Sequence, residues 1–214
     1  NHFTRMVIAA DGNGYALTND ASRLVKFTTG KKVTISNLGA VIDDDANKTV
    51  SIKNKCTSWG GDMIADAYNN LYIISANHYV FVLDLQTNKA KYIGNINGLP
   101  ANYSTNGAAV DNDGNVVVSS ANTFAGYYKF NMKDFVATKI EGSDMVYNAS
   151  DLANGNLLYQ KEADEARKFA DFKPVIPVIT NQVHIYPNPV TNNEFKIHFN
   201  GQQAGRYNVA ITDL

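Results

Sequence analysis

An internal repeat constrains this chain more than any other feature. The segment Met63-Ile64-Ala65-Asp66-Ala67-Tyr68-Asn69-Asn70-Leu71-Tyr72-Ile73-Ile74-Ser75 reads as strand, polar turn, strand. Ala108-Ala109-Val110-Asp111-Asn112-Asp113-Gly114-Asn115-Val116-Val117-Val118-Ser119-Ser120 repeats it, with Asp66 to Asp111 and Asn70 to Asn115 both 45 residues apart. Each copy continues into a third strand (Tyr79–Asp84, Tyr127–Asn131) and a polar fourth (Lys91–Ile96, Ala137–Ile140). An earlier copy starts at Met6 and closes near Val33–Leu38, and an insert, Asp43–Ser58, separates it from the next. A last, partial copy begins at Asn148–Asp151 and ends with a strand at Leu157–Tyr159. A period near 45 with four short strands per unit is that of a β-propeller blade, because a small twisted sheet cannot bury both faces alone and stacks on its neighbours. A closed ring takes roughly four to eight blades. Three blades and a stub therefore leave further blades expected upstream of Asn1, or a ring completed by a partner chain.

Composition agrees with an all-β fold. Asn reaches 27, and the acidic residues divide into 16 Asp and 4 Glu, which favours turns over helices. A formal charge of -1 gives no basic surplus for a phosphate backbone, so nucleic acid is not an expected partner. The longest apolar runs, Met6–Ala10 and Tyr79–Leu83, are far short of the ~20 residues that span a bilayer. The single cysteine, Cys56, makes neither an internal disulfide nor a multi-cysteine zinc site. Residues 1–160 are thus expected to be propeller-like. From Gln160 the charged run Lys161–Lys168 reads as a short helical or irregular stretch, and Lys173–Thr180, with two prolines, as extended linker, so 161–180 separates the blades from a tail at 181–214.

The tail carries Tyr186-Pro187-Asn188-Pro189-Val190, then the alternating strand Phe195-Lys196-Ile197-His198-Phe199, then Gly205-Arg206-Tyr207-Asn208-Val209-Ala210-Ile211-Thr212-Asp213-Leu214. These residues, about a sixth of the chain, resemble the type A C-terminal sorting domain of the type IX secretion system of Bacteroidota. The resemblance implies an immunoglobulin-like β-sandwich, of which only the first part is present. It also implies export through the outer-membrane translocon barrel with its shuttle protein, and an extracellular or cell-surface destination. Tyr186 to Val190, Gly205, Tyr207, Asp213 and Leu214 would be the sorting motif.

Chemistry-bearing candidates are few. Asp111 and Asp113 resemble the start of a calcium loop, but the twelfth position is Asn122 rather than Glu, and the same turn recurs at Asn69-Asn70 without a carboxylate pair. A β-turn is the favoured reading. Asp43-Asp44-Asp45 reads as a solvated loop. His2, His78, His184 and His198 lack metal-ligand spacing, and no Gly-x-Ser-x-Gly elbow occurs, so no catalytic residue and no cofactor is expected. Trp59 and Tyr103 are candidates for a ligand face, as alternatives to packing between blades. The expected function is a non-enzymatic binding or scaffold protein with a protein or glycan ligand. The alternatives are a stable subunit of the type IX secretion or gliding machinery, and a secreted glycan- or peptide-processing enzyme whose active site lies in missing blades.

Overall fold

The computed structural model describes residues 2–142, 147–170, 183–192, 194–199, 205, 206 and 208–210. The chain forms two units, Asn1–Phe169 and Ala170–Leu214. In the first, three antiparallel meanders follow one another, and among the described residues the fold is all-β apart from one α-helix and one 3-10 turn. Blade 1 is β1 (Phe3–Ile8), β2 (Gly14–Thr18), β3 (Leu24–Phe27) and β4 (Ile35–Gly39), paired in that order. A short strand, β5 (Ile42–Asp43), precedes blade 2: β6 (Asp62–Ala65), β7 (Leu71–Ile74), β8 (Tyr79–Asp84) and β9 (Lys89–Asn95). Blade 3 is β10 (Gly107–Val110), β11 (Val116–Ser119), β12 (Tyr128–Phe130) and β13 (Thr138–Lys139). The first strand of blade 2, β6, packs beside both β1 and β10, so the inner strands cluster as in a propeller.

Blade 2 explains why the stack holds. Every residue of β6 and β7 is buried, because the pleat sends alternate side chains into two different cores. Met63, Leu71, Ile73, Phe81 and Leu83 meet Tyr15, Leu17 and Leu24 of blade 1. Ile64, Tyr72, Ile74 and Val80 meet Val110, Val116, Val118 and Phe130 of blade 3. Each fully buried Leu, Ile or Phe contributes about 1.5–3 kcal/mol relative to exposure, so the two interfaces supply the stability that no single meander has.

The turn joining the first two strands is the same in all three blades. Ala9, Asp66 and Asp111 each donate their N–H to the carbonyl of the residue four on, at 2.9, 3.0 and 2.9 Å, and Gly12, Asn69 and Gly114 occupy the left-handed position (φ 74, 70 and 84°). Asn and Gly stand there because they tolerate positive φ best. The repeat is therefore Ala9, Asp66, Asp111 in structural register. Asp11 sits two residues inside its turn.

Two sequence expectations are corrected. The Asp43–Asp45 triplet, expected as a solvated loop, begins in a strand: Ile42 and Asp43 add β5 in parallel to β9, making a five-stranded sheet. The Asp triplet anchors this insert. Asp43 accepts from Ser51 Oγ and Ile52 N (both 2.7 Å), Asp44 caps the 3-10 turn Asp45–Asn47, and Asp45 lies 3.1 Å from Lys89 Nζ. The partial fourth copy does not start a blade. Its strand is reduced to one parallel bridge, Leu158 to Asp66, and its preceding residues are tied to blade 3 by bonds from Ser119 Oγ to Ala149 O and from Asn154 Nδ2 to Val110 O.

The charged run folds as α1 (Gln160–Ala170), with Glu162 in its first turn and Arg167 and Lys168 in its last, the distribution the helix dipole favours. Asp164 accepts from Gln160 and Arg167, while Ala163 is buried. Residues 171–182, the expected extended linker, lie outside the described residues. In the second unit, β14 (Val183–Thr191) and β15 (Glu194–Phe199) form an antiparallel hairpin. Its register breaks between Tyr186 and Thr191, across Pro187 and Pro189, which have no N–H to donate. Of the expected third strand, residues 205, 206 and 208–210 carry no strand; no ladder partner pairs with them among the described residues.

Two glycines separate backbone preference from packing. At Gly12 a Cβ meets nothing within 4 Å, so Gly12→Ala is expected to lose only the left-handed preference, roughly 1–2 kcal/mol. At Gly61 (φ 82°) a Cβ would lie 1.8 Å from the Ile74 carbonyl oxygen, adding roughly 1–3 kcal/mol of overpacking. Urea denaturation of the two variants should show Gly61→Ala clearly the less stable; equal midpoints would contradict the tight approach between that loop and β7.

Candidate functional site

Polar residues concentrate at both ends of the short inner strands. At the turn end, the carboxylates organise backbone. Asp66 accepts from Tyr68 N (2.9 Å), Asn70 N (2.8 Å), Asn70 Nδ2 (2.8 Å) and Tyr72 Oη (3.1 Å). Asp111 does the same in blade 3, accepting from Asp113 N (2.9 Å), Asn115 N (2.8 Å) and Asn115 Nδ2 (3.0 Å). In blade 1, burial would raise the Asp11 pKa, but hydrogen bonds from Lys26, Asn13 and Tyr15 outweigh it and hold the carboxyl at about 2.

A cleft of about 520 Å³ opens beside the blade 3 turn. Asp111–Asn115 forms one wall, Asn131–Lys133 a second, and residues 155–162, leading into α1, a third. The volume lies within the roughly 300–1,000 Å³ of small-ligand sites. Its charged groups are of both signs: Asp113 and Glu162 against Lys133 and Lys161, with Lys161 Nζ 3.7 Å from Asp113. Met132, Leu157 and the ring of Tyr159 supply apolar surface. The calcium candidates thus stand on a cleft wall, the Asp111 carboxylate filled by turn N–H groups and Asp113 exposed beside Lys161. Among the described residues, no group of three or more His, Cys, Asp or Glu is arranged to hold a metal.

At the opposite end lies a buried charge cluster that sequence reasoning missed. Arg5 on β1 is 2% exposed, and its guanidinium donates to the carbonyls of Ser58 (2.6 Å) and Gly60 (2.6 and 3.0 Å), tying blade 1 to the loop entering blade 2. Its Nη1 is buried without a hydrogen-bond partner. Burial draws its pKa down to about 10, with nearby Asp62 opposing that shift. Asp62, 4% exposed, accepts from Met63 N and Ala108 N, both at 2.7 Å, and so links blades 2 and 3. Burial pushes its carboxyl up to about 7, and the charge of Asp151 adds to this against the two backbone N–H bonds. The sequence signal is slight: Arg5 directly precedes the apolar run Met6–Ala10, and a charge that is buried with such a strand must find partners.

The ligand-face candidates are placed differently from one another. Trp59 is half-buried, its Nε1 donates to Lys53 O at 3.3 Å, and Lys55 Nζ lies 5.4 Å from its ring. Tyr103 is 2% exposed, the packed one of its two alternatives. Its hydroxyl reaches Val118 O (3.0 Å) and Gly126 O (2.9 Å), its ring stands edge-on to Tyr128, and burial raises its pKa. Neither residue lines the cleft. His78 Nε2 contacts Tyr103 O, while His184 and His198, fourteen residues apart, are cross-strand partners on the hairpin. Of the sorting motif, Tyr186 and Val190 are exposed on β14 and Gly205 is described; Tyr207, Asp213 and Leu214 lie outside the described residues.

No family model matches the chain, and no curated protein matches it. Among solved structures, the extracellular domain of a putative one-component system from B. thetaiotaomicron is similar to part of it. The match is at 14% identity and a TM-score of 0.35, covering 69% of this chain and 19% of that one, so it spans about a fifth of the solved extracellular chain. No helix among the described residues is long and apolar enough to cross a membrane.

Two measurements check this geometry. Tyr103→Phe removes the single hydroxyl proton that the Val118 and Gly126 carbonyls share and is expected to cost roughly 1–3 kcal/mol in denaturant titrations; an unchanged midpoint would place the hydroxyl in solvent. Asp62 has a folded pKa above its unfolded value, so the folded protein binds more protons between these values. Its stabilising contribution is full below about pH 4 and is lost as pH rises to about 7. Asp62→Asn should flatten the stability profile between pH 4 and 7. A profile as steep as that of the parent would mean that other groups set the slope.

Proposed function

We propose that this chain is a non-enzymatic binding or scaffold protein exported by the type IX system to the cell surface or medium. The observation that carries the binding reading is the mixed-polarity cleft beside blade 3. One wall is a turn whose backbone Asp111 fixes and another runs into α1, so a ligand meets a preorganised surface and little ordering entropy is lost on binding. Paired charges and a tyrosine ring suit a polar polymer, a peptide segment or a glycan, better than an apolar small molecule. The export reading rests on the Tyr186-Pro187-Asn188-Pro189-Val190 segment and the alternating hairpin that carries it; the translocon barrel and its shuttle are the partners this implies.

The two parts of the proposal separate experimentally. Removal of residues 181–214 and all that follows them is expected to abolish appearance outside the cell in a host with an intact type IX system; unchanged export would refute the route. On an array of immobilised peptides and glycans, Lys161→Glu with Lys133→Glu, which reverses the cationic side of the cleft, should lower binding of the component that the parent retains at least tenfold; unchanged binding would place the ligand away from the cleft. Pull-down from detergent-solubilised outer membranes should recover the translocon in substoichiometric amounts, as for a cargo in transit. A fixed ratio would instead make the chain a machinery subunit.

A further inference from the structure

Blade 1 has one buried face, against blade 2, and one open one. The open face carries Met6 (63% exposed), Ile8 (48%) and Ile35 (72%), with Val25 and Phe27 half-buried beside them. The pairings Met6–Ala16–Val25 and Ile8–Gly14–Phe27–Ile35 put them in two rows across the sheet. The Phe27 ring lies over Gly14, where an added Cβ would be 2.0 Å from it, so the face is filled level by design of the sequence at that position.

The turn register identifies what these positions are elsewhere in the fold. Met6 corresponds to Met63 and Ala108, Ile8 to Ala65 and Val110, Val25 to Phe81 and Tyr128, and Phe27 to Leu83 and Phe130. In blades 2 and 3 every one of these packs against the preceding blade. The open face of blade 1 is therefore the same surface, with the same apolar character, as two faces that are inter-blade interfaces in this molecule.

We propose that this face is a third inter-blade interface, and that its occupant is another four-stranded blade of the same repeat carried on the same polypeptide. The area favours a tethered occupant over a second copy. Four strands about 4.8 Å apart and five residues of about 3.4 Å each give roughly 300 Å² per side, against about 800 Å² per partner in a stable complex; a covalent neighbour reaches millimolar effective concentration and needs far less area. The reciprocal surface of a second copy, the far side of blade 3, is moreover overlaid by residues 149–156, through the bonds of Ala149 O and Asn154 Nδ2 and the close approach of Leu152 to Gly107.

Thiol labelling tests the proposal. In a Cys56→Ser background, Ile35→Cys is introduced both in residues 1–214 and in the product of the whole reading frame, with Met6→Cys as a second probe and Lys32→Cys in the neighbouring exposed turn as control. Ile35→Cys should react like a free thiol in the shorter chain and at least tenfold more slowly in the longer product, with Lys32→Cys equally fast in both. Equal reactivity of Ile35→Cys and Met6→Cys in the two proteins overturns the inference. So does concentration-dependent protection in the shorter chain accompanied by a dimer in sedimentation, which would make a second copy the occupant.

Discussion

A four-stranded meander of this size has two faces and too little sequence to make both polar. The structure rests on how that conflict is resolved, by sheet-on-sheet burial repeated along the chain. Blade 2 shows the resolution completely: Leu71 and Ile73 go to one core, Tyr72 and Ile74 to the other, and no residue of β7 is left for solvent. Polar groups at the interfaces are recruited to the same end. Arg5 clips the Ser58–Gly60 loop of the next blade, and Asp62 receives the Ala108 N–H from the blade after, so each interface is apolar in the middle and hydrogen-bonded at its inner rim.

This arrangement separates two roles that acidic residues play. At the turn end, Asp66 and Asp111 are consumed in holding a tight chain reversal, with the left-handed residue three positions on and the Asn side chain four on completing it. Carboxylates used in this way have oxygen lone pairs directed at N–H groups, which accounts for a calcium-like spelling beside Gly114 in a turn closed by its own hydrogen bonds. At the other end, burial raises the pKa of Asp62, whose carboxylate receives N–H groups from blades 2 and 3.

The repeat, its 45-residue spacing, the strand-turn-strand order and the all-β class were legible in the sequence, since alternating or continuous apolar runs bounded by Asp, Asn and Gly encode local structure directly. The register of the first copy was less visible, because its Asp stands two residues later than in the other turns and only the Ala9–Asn13 bond reveals the equivalence. Which of its two alternatives Tyr103 takes was not visible for a related reason. An aromatic residue in a polar stretch, Asn102-Tyr103-Ser104-Thr105-Asn106, gives no local sign of which carbonyls its hydroxyl will meet, and those of Val118 and Gly126 are supplied from 15 and 23 residues away.

What the sequence by itself determined is whatever depends on neighbours within a few residues: strand identity, the left-handed positions at Gly12, Asn69 and Gly114, and the alternation of the tail hairpin. What only the tertiary structure decided depends on groups far apart in the chain. It joined Asp43 of the insert to the edge of blade 2, drew the last partial copy off into a bridge with Asp66, and set Arg5 and Asp62 into one buried rim. The reason is that burial and long-range hydrogen bonds are settled by which surfaces meet, and a strand's amino acids specify that it has an apolar face without specifying which neighbour will cover it.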